Sequence, residues 1–209
     1  MKASSAARKI LSKFPQDVVD YFLKLDKRCE KNRITLLLGS GKALNARGRC
    51  GGYFSEQERV LAVAIGGKIG DIISCVLHEE CHMSQFLNKK SIWYKKGILT
   101  GHCRFFRYLD GDKIYKIKEA AFAAMELEAD CERRAIKLAK KWPKYINMDR
   151  YIAKANSYIL SYHWMLENRR WMKKSPYNRR IIIHSPIKLL RCYEKVPSKL
   201  SLAFNKYLR

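Results

Sequence analysis

A histidine pair at helical spacing, His78-Glu79-Glu80-Cys81-His82, narrows what this chain can fold into more than any other feature. Residues four apart on a helix share a face. An apolar stripe of Ile72, Val76, Met83 and Leu87 runs through the same segment. The spacing therefore predicts a helix from Ile72 to about Leu87, with Asp71 as its N-cap. Before it, Val60 to Ile65 is an apolar run closed by Gly66-Gly67, and Ile34 to Leu38 is another closed by Gly39 and Gly41. Both read as strands. Residues 15–29 read as a short amphipathic helix, and residues 39–52, with five glycines, as a loop in which Gly48 to Tyr53 make a tight turn. Residues 88–112 show no clear period. Helical patterns then run from Ile114 to Trp142 and from about Met148 to Trp171. The expected class is α+β, with a small early β-sheet and a mainly helical second half. At 209 residues this is one domain, residues 1–170, with a basic C-terminal segment, 171–209, packed on it.

Two imidazoles on one helix face can hold a tetrahedral zinc ion. Glu79, one residue on from His78, can take a proton from a water on that ion and later give it to a leaving amine. A catalytic zinc needs a third protein ligand. No third histidine follows at short spacing, since Asn88 stands there, so the acids of Met125 to Glu132 are the candidates. Helical phase sorts them. Counting about 100° per residue from Ile117, Glu128 falls at about 20°, inside the apolar stripe, Glu132 at about 60°, and Glu126 at about 180°, on the solvent side. A carboxylate in an apolar stripe is costly unless it is paired or metal-bound. Glu128 is therefore the expected ligand, with Glu132 accepting from a ligand histidine.

His78 to His82 followed by a helical Glu126-Leu127-Glu128-Ala129-Asp130 resembles the gluzincin group of zinc peptidases. It is also similar to small phage-encoded metallopeptidases with Asp-Cys-Glu-Arg in this helix. The resemblance covers about residues 60–140. It implies a zincin-like fold in which the strand before the metal helix presents an edge to an extended protein or peptide substrate, and hydrolysis of the peptide bond. The family's Glu-x-x-Ala-Asp pattern has a second register here, Glu126 with Asp130, which the phase argument disfavours. A His or Tyr that stabilises the oxyanion is implied too, and His163, Tyr158 and Tyr162 are candidates.

Charge adds a separate indication. Lys and Arg number 43 against 19 Asp and Glu, a net charge of +24. From Asn168 to Arg209 there are 12 basic residues and one acid, interleaved with Trp171, Tyr177, Tyr193 and Tyr207. Such a segment suits a phosphate backbone. The alternative function is therefore a nucleic-acid-binding protein whose zinc site is structural or vestigial. Gly39-Ser40-Gly41-Lys42 is not a P-loop, because Leu36 stands where its first glycine should be and Ala43 follows the lysine. Seven cysteines with no CxxC pair, and no signal-like or membrane-spanning apolar stretch, predict free thiols in a reducing, cytoplasmic setting.

Overall fold

The computed structural model describes residues 1–45 and 49–209. Its elements begin with β1 (Lys2–Ala3), α1 (Ser5–Leu11), α2 (Gln16–Lys31), β2 (Thr35–Gly39), β3 (Leu44–Asn45), β4 (Arg49–Cys50), β5 (Gly52–Ser55), β6 (Val60–Ala64) and α3 (Ile69–Leu87). Helices follow: α4 (Ile98–Leu109), α5 (Ile117–Ala139), α6 (Met148–Asn168), α7 (Arg179–Ile182) and α8 (Ser198–Tyr207). The class is α+β, with all the described strands ahead of α3. Two compact units make up the chain. One is Met1–Asn88 with Leu138–Ile146; the other is Lys89–Lys137 with Asn147–Arg209.

In the first unit a four-stranded sheet has the order β1-β2-β6-β5, with β1, β2 and β6 parallel and β5 antiparallel to β6. The strand over residues 60–65 is thus interior, not the edge expected before the metal helix. Its register with β5 runs from Gly52 opposite Val63 to Ser55 opposite Val60. Leu61 to Ala64 are all buried, as an apolar run without alternation demands of a strand covered on both faces. The edge on that side is β5, four residues that begin at the second glycine of Gly51-Gly52. The loop expected over 39–52 therefore also contains β3 and β4, which pair antiparallel. Gly48, the first residue of the expected turn, lies outside the described residues.

α2 buries Val18, Phe22, Leu25 and Cys29, spaced one helical turn apart, against β2. α3 packs on β5 and β6. It starts at Ile69, about a turn before the expected start. Lys68 is its N-cap, and Asp71 lies in the first turn instead of capping it. A carboxylate there still complements the helix dipole.

The second unit buries Phe105, Ala120, Ala124, Met125, Ile159, Tyr162 and Phe204 in one core. Tyr162 stacks on Phe105 at 5.5 Å between centroids. α4 lies in the stretch that showed no period. Its buried face is Ile98, Gly101, Phe105 and Leu109, and the glycine interrupts the apolar pattern. A Cβ on Gly101 would stand 2.5 Å from the Ala123 Cβ, so the missing side chain lets α4 lie directly against α5. Beyond α6 the chain is proline-broken but anchored, with Ile181, Leu200, Phe204 and Leu208 in the same core. No helix of the described residues is long and apolar enough to cross a membrane. All seven cysteines are free thiols.

Asn156, fully buried on α6, fastens that irregular segment. Its Nδ2 donates to the Pro186 and Lys188 carbonyls at 2.8 and 2.9 Å. Its Oδ1 accepts from the Leu190 N–H and the Tyr193 hydroxyl at 3.2 and 3.3 Å. Truncation strands several buried groups at once, each costing about 1 kcal/mol or more. Asn156→Ala should lower the unfolding free energy by about 2–3 kcal/mol in urea denaturation. A loss under about 0.5 kcal/mol, the range of a neutral surface change, would contradict this clamp.

Candidate metal centre

α3 places both imidazoles on one face. The ring centroids of His78 and His82 are 4.7 Å apart, and their Nε2 atoms face each other at 3.1 Å. Two nitrogens held by one tetrahedral zinc at its usual bond length would stand about 3.3 Å apart. The pair is therefore already close to ligand separation. The tautomer is set from behind. His82 Nδ1–H donates to Gln85 Oε1 at 2.9 Å, which leaves the Nε2 lone pair of His82 facing His78. Gln85 is fully buried. It was missed in the sequence, although a polar residue three after His82, on the apolar face of α3, is a visible signal.

The two glutamates between the histidines have different surroundings. Glu80 accepts from the Tyr21 hydroxyl at 2.6 Å and from the Arg28 guanidinium. Arg28 also reaches the Ser84 hydroxyl at 2.8 Å. Glu80 is thus a structural tie between α2 and α3. Burial, reinforced by that carboxylate, pushes the Tyr21 phenol well above its usual range, so it stays a donor. Glu79 is also buried and lies beneath β5. A Cβ on Gly52 would come within 2.6 Å of the Ala62 carbonyl, 2.9 Å of Cys75 Sγ and 3.3 Å of Glu79 Cγ. Burial, with Glu79 close by, raises the Cys50 thiol.

In the second unit, burial separates the acids of α5 as the helical phase does. Glu128, Cys131 and Glu132 are 3%, 0% and 5% exposed and occupy one face. Glu126 is exposed and pairs with Lys95 at 3.1 Å, and Asp130 pairs with Arg134 at 2.7 Å. The thiol of Cys131 is a third potential metal donor on the buried face, where the sequence reading counted it only as apolar. The Tyr162 hydroxyl donates to Glu128 Oε1 at 3.2 Å and lies 3.2 Å from the Tyr158 hydroxyl. Burial first, then Glu128, lifts both phenols far above their ordinary range. Of the oxyanion candidates, Tyr158 and Tyr162 are thus engaged with Glu128 or each other. His163 donates from Nε2 to the Tyr193 carbonyl at 2.6 Å. Tyr193 is itself pushed up to about 12, chiefly by burial, with Arg133 opposing and Glu132 adding to the rise.

Two outcomes follow. Gly52→Ala forces a methyl against backbone and against the Glu79 stem, and should cost about 1–3 kcal/mol in urea denaturation; an unchanged midpoint would contradict the close approach. The raised phenols link stability to alkali. The unfolded chain loses these protons near the ordinary phenol value of about 10 while the folded chain keeps them. Their contribution is complete below that value and disappears as pH rises above it. Tyr162→Phe should therefore lose less stability than the wild type between about pH 9 and about pH 11. Equal losses would show that this phenol carries no such linkage.

No protein-family model, no curated protein and no solved structure matches this chain.

Proposed function

We propose that the protein is a zinc-dependent peptidase of gluzincin type, in which His78 and His82 hold the metal and Glu79 is the general base. The observation that carries the reading is the pair of Nε2 atoms at 3.1 Å, with His82 fixed in its ligand tautomer by Gln85. These residues fit a zinc ion in donor chemistry and in spacing. A bound zinc would polarise the scissile carbonyl and make a water acidic enough to attack near neutral pH. Glu79, buried one residue after His78, takes the proton from the attacking water and delivers it to the leaving amine. Gln85 holds His82 from behind, and Glu132 is proposed to orient a ligand histidine.

Glu128 is the proposed third ligand. Tyr162, donating to Oε1, orients the carboxylate. Cys131 is the competing donor, since a thiolate completes a two-histidine set as a carboxylate does.

Glu79→Gln should keep one equivalent of zinc and lose peptide hydrolysis, measured on an unfolded protein such as casein. Retained hydrolysis would reject Glu79 as the base. Gln85→Leu should weaken zinc binding by about 10–100-fold in a competition titration; unchanged affinity would remove Gln85 from the site. Cobalt substitution separates the third ligands. A spectrum without a sulfur-to-cobalt charge-transfer band is expected for Glu128, and a thiolate band lost in Cys131→Ser would assign Cys131 instead.

A further inference from the structure

Five side-chain cations outside the C-terminal segment pair with carboxylates: Arg28 with Glu80, Lys95 with Glu126, Arg107 with Asp112, Lys116 with Glu119, Arg134 with Asp130. The C-terminal segment has one acid, Glu194, among its cations. All 12 of its basic residues from Arg169 to Arg209 are exposed, and none takes part in an ion pair among the described residues. Half of them gather about the last turn of α8. Arg180 and Lys206 both stand over the Tyr207 ring, 5.7 and 5.4 Å from its centroid. The Lys173 N–H donates to the Leu208 carbonyl at 3.3 Å, which brings Lys173 and Lys174 to the end that carries Arg209. Arg179 precedes Arg180 at the start of α7.

We infer that this cluster, Lys173, Lys174, Arg179, Arg180, Lys206 and Arg209, binds the phosphodiester backbone of a nucleic acid. Six like charges repel one another, and neighbouring phosphates are the partner that converts the repulsion into binding, through release of condensed counterions. Resting Arg180 on an aromatic face orders the guanidinium while its N–H edge stays open to a phosphate. An anionic lipid surface fits less well. Docking there requires a contiguous exposed apolar face beside the charge, and α8 buries Leu200, Ala203 and Phe204 in the core of its own unit. Ile183 and Ile187 are exposed on the irregular stretch after α7, and Leu202 on α8. Backbone contacts carry no base readout, so the binding is insensitive to sequence.

The test is fluorescence anisotropy of the full chain with a labelled 24-base-pair duplex of arbitrary sequence, titrated with NaCl. Six phosphate contacts give a slope of log K against log salt of about −5, and a loss of at least about 10³-fold between 50 and 200 mM. Replacing Lys173, Lys174, Arg180 and Lys206 together by Gln should make the slope shallower by about 3 to 4. Replacing Lys9, Lys24, Lys27 and Lys31, exposed residues of α1 and α2, by Gln should leave it within about 1 of the wild type. Thermal melts of both variants confirm folding. Equal loss from the two sets would overturn the inference, since the charge would then act without a site. Absence of duplex binding, or tighter binding to vesicles containing phosphatidylserine than to the duplex, would overturn it as well. Zinc removal enters none of these readings, so failure here is separate from failure of the peptidase proposal.

Discussion

Two imidazole nitrogens facing each other at 3.1 Å on a largely buried helix form the contact on which the remaining site depends. Such an approach is favourable only when one nitrogen offers a lone pair and the other a proton, or when a cation draws both lone pairs together. Gln85 resolves the first requirement by holding the Nδ1 proton of His82. The scaffold supplies the rigidity. α3 packs on β5 and β6, and the side-chain-free Gly52 allows β5 to lie on the stem of Glu79. The orientations of His82 and Glu79 are thus set by packing and hydrogen bonds within one unit.

The acids of α3 and of α5 differ in their surroundings. Glu80 is bound to Tyr21 and Arg28, Glu126 to Lys95, and Asp130 to Arg134. Each has a structural function. Glu79, Glu128 and Glu132 are buried, where an ionised carboxylate is expensive unless something compensates it; the proposed metal would supply part of that compensation. Tyr162, kept protonated by its burial, donates to one oxygen of Glu128 and gives that carboxylate a fixed face.

Helical periodicity was the most legible level of the sequence. It placed the histidine pair on one face, and it put Glu128 and Glu132 inside and Glu126 outside, because a 23-residue helix repeats its phase often enough to average out single exceptions. Shorter elements were harder to read. β5 has four residues and begins at the second glycine of Gly51-Gly52, so its sequence reads as a turn and the edge is expected on the wrong strand. Gly101 interrupted the stripe of α4 because close helix packing there excludes a side chain. Gln85 leaves the apolar period of α3 intact, since one buried amide does not disturb it. Its partner, the Nδ1 of His82, becomes apparent only once both rings have positions.

The central claim is that the histidine pair of α3 binds a metal ion. Its most direct test is elemental analysis of protein purified without chelator, beside His82→Ala prepared in the same way. One zinc per chain in the wild type and a small fraction of that in the variant is the predicted result. Equal metal content in the two proteins, or none in the wild type even after incubation with excess zinc, would contradict it.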